Sequence, residues 1–255
     1  MSRPLAGRHR LWFFSVALPM WFSQGCLYVP HLFRGAPIEF RVVDDTTGAP
    51  LSNVVVTANW QLVRLNVAHA VEDGQLVILE TVSDADGRVR FSGWGPKLVR
   101  PLTTIGMNDP HLVLFKEGYQ PDAVHNAFGD YTTNFTRHSD WHGETLRLKR
   151  PHDDQSYAQS LDWLGDIALQ FAFSDHGDCG WRRIPTMLSR ALAEGKQHPT
   201  HGPLPTFWNE TLLEGRAAPL RCGSIGEFLK RYRHDDWSAL CPDLSAGRSR
   251  YKLRL

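Results

Sequence analysis

The residues with types and spacing suited to chemistry are histidines, acids at turns, tryptophans and cysteines. His138 and His142 stand four apart in the run RHSDWHGE, with Asp140 and Glu144 beside them and His125 and Asp130 upstream. On a helix that spacing places both imidazoles on one face, as a zinc site requires. The run lacks a helical apolar pattern and contains Gly143, so it reads as a loop leading into a strand. The zinc-protease arrangement needs Glu directly after the first His, and Ser139 stands there. Solvated loop histidines are the plain reading. An exported metal-binding protein or metal-dependent hydrolase using His138 and His142 with Asp140 or Glu144 is the alternative. Asp84 and Asp86, with Asp44 and Asp45, resemble calcium ligands in kind. They lack the alternating acids and distal Glu of a calcium loop, and Asp at a turn ordinarily bonds its own backbone. Nine tryptophans is a high count. They either fill cores or present flat faces to ligands, so carbohydrate binding through Trp60, Trp94 or Trp141 is a third reading. No Ser–His–Asp arrangement, glycine-rich phosphate loop or paired carboxylate stands out. The chain is therefore expected not to be an enzyme, with no cofactor and no bound metal.

The cysteines are read through the N-terminus. Arg3, Arg8, His9 and Arg10 form a basic start without acids, and Leu11 to Phe22 is apolar apart from Ser15 and Pro19. Ser23-Gln24-Gly25-Cys26 follows. A basic stretch, an apolar stretch and small residues make an export leader. The apolar run falls short of the roughly 20 residues a spanning helix needs. The Gly25-Cys26 junction resembles the bacterial lipoprotein signal. That resemblance implies that Cys26 becomes the first residue of the mature chain and carries diacylglycerol, with palmitate-type acyl chains as the membrane anchor. Each buried CH₂ contributes about 0.8 kcal/mol, and stable attachment takes more than one chain. Ser23 departs from the aliphatic residue usual in that family. Ser23 and Gly25 also suit ordinary signal peptidase, and an uncleaved anchor running on through Leu27-Tyr28-Val29 is a further alternative. The expectation is a bacterial envelope lipoprotein facing the periplasm, on the outer membrane before the inner. In that oxidising compartment bridges persist. Cys179–Cys222 is the expected disulfide; its loop of about 43 residues is worth about 4 kcal/mol in the chain-entropy model. Lipidation of Cys26 leaves Cys241 over, whereas ordinary cleavage leaves four cysteines for two bridges.

The rest of the chain must supply the folded scaffold. It has 255 residues, 42% of them hydrophobic and 22% charged, with a formal net charge of +1. That composition is globular and gives no electrostatic case for nucleic acid. From Ile38 the pattern has period two: Ile38, Phe40 and Val42 alternate with Glu39 and Arg41. Turn chemistry follows at Asp44 to Pro50, then Val54, Val56 and Ala58 on one face with Val55, Thr57 and Asn59 on the other. Leu76 to Val82, Arg88 to Phe91, Leu112 to Phe115 and Glu144 to Lys149 are further strands, the last with Leu146 and Leu148 inward. Many short strands between turn signals argue for a sandwich or barrel. The segments FRVVDDTTGAPLSNVVVTA, TVSDADGRVRF and LVLFKEGYQP resemble a carboxypeptidase regulatory-like domain. The resemblance spans roughly residues 37–150 and implies a prealbumin-like β-sandwich serving as a folding or interaction module without catalytic residues. Residues 59–80 exceed the usual link in that family, and residues 93–110 carry Pro96, Pro101 and Pro110. Either stretch is a candidate binding loop inserted into the pattern.

Beyond Pro151 the period becomes helical. Ser156 with Gln159 suggests a capping box ahead of Tyr157, Leu161, Leu164, Ile167, Ala168 and Phe171. A second helix carries Ile184, Met187, Leu188, Ala191 and Leu192, opened by Pro185 and ended by Gly195. A third opens at Ser224-Ile225-Gly226-Glu227. Short amphipathic helices are marginal alone, so they should pack on the sandwich or on one another. The expected fold is α+β: residues 1–25 a signal peptide, 36–150 an antiparallel β-sandwich, and 151–255 a small, mainly α-helical region. The expected function is a non-catalytic binding or structural module of the envelope. Its partners are the membrane, through the N-terminal lipid anchor, and an envelope protein.

Overall fold

The period-two segments fold as strands. In chain order they are β1 (His31–Gly35), β2 (Ile38–Asp44), β3 (Val55–Leu65), β4 (Ala70–Val82), β5 (Arg88–Phe91) and β6 (Trp94–Val99). They continue with β7 (Thr103–Ile105), β8 (His111–Phe115), β9 (Asp122–Val124), β10 (Thr136–Arg137) and β11 (Thr145–Leu148). Two helices follow, α1 (Asp154–Gln170) and α2 (Pro185–Gln197), with a 3-10 turn at Gly180–Arg183 between them. The computed structural model describes residues 31–65, 70–127, 135–170, 180–198 and 228–230, a β-rich α+β protein.

The strands form three sheets. One has the order β11–β2–β5, a second β4–β3–β8–β9 with β7 added to the far end of β3, and the third β10–β1–β6. In the first sheet Ile38, Phe40, Val42, Val89, Phe91, Leu146 and Leu148 face inward, as their alternation requires. Arg88 and Arg90 pair with Glu39 on the wet face at 3.4 Å, where exposed ion pairs contribute little. Across the core, Val56, Ala58, Trp60, Leu112 and Leu114 oppose them from the second sheet.

The middle of the second sheet is covered on both faces. Val55, Val56, Thr57, Ala58 and Asn59 are all buried, so the first half of β3 shows no wet face, while Arg64 near its far end is exposed. Its second face carries Val55, with Val113 and Phe115 on β8 and Ile78 on β4. On these four lie Tyr157, Leu161, Leu164 and Ile167 of α1, Trp181 of the 3-10 turn, and Ile184, Met187, Leu188, Ala191 and Leu192 around α2. The helical region thus packs on the sheet as a third layer. This answers the marginal stability of short helices, because most of their support comes from the apolar stripe they bury.

Several local expectations are corrected. Residues 59–80, read as a long link, are mostly strand. β3 and β4 pair antiparallel from Val55↔Val82 out to Leu65↔Ala70, with register shifts on either side of Gln61. Pairing continues because the outer part of β3 gains a second neighbour, β7, through Leu62↔Ile105 and Arg64↔Thr103. The expectation of an antiparallel sandwich is corrected in its strand directions: β11 runs parallel to β2, and β10 parallel to β1. β2 and β11 are separated by all the intervening strands, and a connection of that length permits a parallel return that a hairpin forbids. The α1 cap is Asp153, not Ser156. Asp153 Oδ1 accepts from Ser156 N at 2.6 Å and Ser156 Oγ accepts from Asp153 N at 3.2 Å, a box one turn earlier. α2 opens at Pro185 as expected, but runs past Gly195 to Gln197. Of the third expected helix, only 228–230 lie among the described residues, and these are helical.

The turn before β5 depends on Gly87. Its φ is +72°, and a Cβ there would lie 2.4 Å from the Val42 carbonyl oxygen. An L residue in that conformation costs about 1–2 kcal/mol before any clash. Gly87→Ala is expected to lower stability by at least about 2 kcal/mol, read as an earlier urea midpoint with unchanged slope. An unchanged midpoint would show that the turn relaxes freely.

Candidate functional site

The segments carrying His125 and His138 meet at one buried amide, Asn126, while His142 turns to Glu39 of the first sheet. Asn126 ties them together. Its Nδ2 donates to Asp109 O at 2.9 Å and to His138 O at 2.8 Å, and its Oδ1 accepts from Asp140 N at 2.9 Å. Asp140 returns the contact by accepting from Ala127 N at 2.8 Å. One buried amide thereby joins three segments far apart in sequence. Beneath it, the Asp109 carboxylate accepts from Gln61 N, and Asp109 N donates to Gly106 O at 3.3 Å. Burial pushes the Asp109 carboxyl up to about 7, against the pull of the Gln61 N–H and the Arg137 guanidinium. His111 and His125 meet edge to face at 5.9 Å, and Trp141 Nε1 donates to His125 O at 3.2 Å. Burial, then the neighbouring His125, hold the His111 imidazole below its ordinary value, so it favours the neutral form.

The spacing-based pair His138 and His142 is not brought into a ligand set. His138 is exposed and contributes its carbonyl to Asn126, while His142 Nδ1 accepts from Glu39 N at 3.2 Å. The segment folds as turn rather than helix, so four-residue spacing does not align the two rings. Among the described residues no three His, Cys, Asp or Glu side chains gather as a metal site. The tryptophan reading is corrected likewise. Trp60 and Trp94 are core residues, 1% and 9% exposed, meeting edge to face at 5.5 Å, so neither offers a face to a sugar. Trp141 is half-buried against the His125 loop.

Asp44 and Asp84 are turn acids. Asp44 Oδ1 accepts from Thr46 N, Thr47 N and Thr47 Oγ1, and its Oδ2 accepts from Tyr119 O–H at 2.8 Å and Arg150 Nε at 3.1 Å. The Thr47 N–H, then the Tyr119 hydroxyl, hold this carboxyl well below the usual range. Asp84 Oδ1 accepts from Asp86 N and Arg88 N.

A second polar group lies between sheet and helices. Glu80, on β4, accepts from Thr186 N at 3.0 Å and Met187 N at 2.8 Å, the first free amides of α2. A strand side chain therefore caps the helix across the layer boundary. Burial pushes Glu80 up to about 7, against those amides and the Arg190 charge. Arg190 grips both Glu117 oxygens. Burial raises Glu117, but the Arg190 bonds carry it below its ordinary value. Tyr157 O–H donates to Glu194 Oε1 at 2.7 Å and accepts from Gly118 N at 2.8 Å. A cleft of about 240 Å³ opens beside this layer, lined by Gln75, Leu76, Ile78, Gly180 and Arg183.

Sequence reasoning missed Asn126, Asp109, Glu80 and Arg190, because each is defined by partners far along the chain. The Asp109-Pro110 dipeptide was the one local cue, a turn marker. Cys26, Cys179, Cys222 and Cys241, on which lipidation and the disulfide rest, lie outside the described residues. Among the described residues no helix is long and apolar enough to cross a membrane.

No family model matches the chain, and no curated protein does. Partial similarity exists to a streptococcal ancillary pilin, at 16% identity over 48% of this chain and 31% of that one, TM-score 0.22. The group B streptococcus pilus 2b backbone protein is similar at 17% identity over 46% and 41%, TM-score 0.23. A 9R-lipoxygenase from Cyanothece is similar at 12% identity over 64% and 26%, TM-score 0.20. The chain spans less than half the length of each of these structures.

Proposed function

We propose that this chain is a non-catalytic binding or structural module of the bacterial envelope, held to a membrane by lipid on Cys26. Its body is a prealbumin-like sandwich over residues 36–150, stiffened by the helical region that follows and carrying a contact surface at the loops around Asn126. The observation that supports this reading is the use of two buried acids, Asp44 and Asp109, and of the half-buried Glu80. Glu80 caps α2, Asp109 holds the Gln61 backbone, and Asp44 binds its own turn, Tyr119 and Arg150. Each joins one element to another, which is how a scaffold uses carboxylates. The surface suited to an envelope protein partner is the rim of His111, His125 and Trp141, aromatic and polar groups on loops braced from below. In the oxidising compartment, Cys179–Cys222 is the proposed bridge within the helical region.

The anchor is tested by fractionation. The wild-type chain should pellet with membranes and incorporate labelled palmitate, and Cys26→Ala should move to the soluble periplasmic fraction. A wild-type chain already soluble, or an unlabelled one, sinks the lipid tether.

A further inference from the structure

Among the described residues, the β10–β1–β6 sheet shows an apolar face without cover. Leu32 on β1 and Leu98 on β6 are direct cross-strand partners, and they are 55% and 66% exposed. Their neighbours Phe33 and Val99 are buried in the core, so period two turns the two leucines outward together. A cross-strand apolar pair held in water gains free energy from any apolar cover. Chain connectivity says what that cover is. His31, the first residue of β1, is the fifth after Cys26, and five residues span at most about 17 Å when fully extended. A chain tethered at Cys26, or through the apolar run before it, must keep β1 within that distance of the bilayer. Arg34, two residues after Leu32 on β1, is exposed on the same face and carries the charge that anionic headgroups attract, whereas Lys97, paired with Phe33, lies on the other face.

We propose, resting on the membrane tether of the preceding section, that the outer face of β10–β1–β6 lies on the bilayer surface. Leu32 and Leu98 enter the boundary between headgroups and acyl chains, while Arg34 meets lipid phosphates. The tether then supplies one attachment and this face a second, and the fold is oriented rather than swinging on a leash.

The test is hydroxyl-radical footprinting of the full chain, purified from membranes and bound to vesicles of phosphatidylethanolamine and phosphatidylglycerol at about three to one. Trp163, on α1 and 41% exposed, is the internal control. Corrected for intrinsic reactivity, Leu32 and Leu98 should oxidise about fivefold more slowly than their exposure in the fold dictates, while Trp163 reacts as its exposure dictates. Vesicle-bound chain in which Leu32 and Leu98 react as freely as Trp163 overturns the docked face and leaves the tether standing. Chain that fails to sediment with vesicles overturns the tether, and the docked face with it.

Discussion

Trp181→Ala is expected to remove about 3–5 kcal/mol of stability and to free the helical layer before the sheets unfold. Trp181 is fully buried where the 3-10 turn meets the sheet, in one cluster with Val55, Ile78, Val113 and Phe115, and its ring meets Phe228 edge to face at 5.2 Å. Truncation empties the middle of that layer, and neighbours anchored on a sheet cannot move in to fill it. Helices of this length are marginal alone, so α1 and α2 should melt once their docking face is lost. In urea, the helical dichroism of Trp181→Ala should disappear at lower denaturant than the strand signal, whereas the wild-type signals coincide. The uncovered sheet face should then bind a hydrophobic dye. A single coincident transition shifted by less than about 1 kcal/mol would show that the helices contribute little to the fold.

Raising the pH from about 4 to about 8 is expected to destabilise the wild-type protein, and Glu80→Gln should remove a large part of that loss. Glu80 and Asp109 both have native values near 7, above their ordinary 4.5 and 3.8, with burial as the first cause. A carboxyl raised in the folded state contributes stability that is fully present below its unfolded value. That contribution is lost as pH climbs through the native value. Shifts of this size correspond to about 3 kcal/mol for Glu80 and about 4 kcal/mol for Asp109. Asp44 works in the opposite sense. Its depressed value contributes stability above its ordinary range, and that is lost as the solution becomes strongly acid. The stability maximum therefore falls on the mildly acidic side of neutrality. Gln at position 80 keeps one oxygen, enough to accept from one of the Thr186 and Met187 N–H groups, and does not ionise, so the variant is less stable at low pH but its melting temperature against pH should flatten between about 5 and 8. Asp109→Asn should flatten the remaining slope. A Glu80→Gln profile parallel to wild type would place the titration elsewhere.

Local pattern was sufficient wherever one face of an element meets water. Ile38, Phe40 and Val42 alternate with Glu39 and Arg41, and β2 buries them accordingly. Gly48 and Gly87 sit at positive φ in the turns that their neighbours announced. Leu146 and Leu148 point inward, and Pro185 opens α2. Pattern was weaker on the outer half of the β3–β4 hairpin, where polar residues are mixed into long paired strands. The strand β1 was hidden by its position directly after the leader-like segment.

The amino-acid order alone determined the β-rich first part, its turns, the helices α1 and α2 and the likeness of the N-terminus to an export signal, because each is carried by residues within a few positions of one another. Only the folded chain decided that both faces of the middle of the second sheet are covered, that Trp60 and Trp94 are core rather than ligand faces, and that His138 and His142 do not converge. It alone paired Glu80 with the start of α2, 106 residues away, and Asp109 with Gln61, 48 residues away. The physical reason is the same in each case. Periodicity reports which side of an element turns from water, while the partner waiting on that side is chosen by long-range closure of the chain.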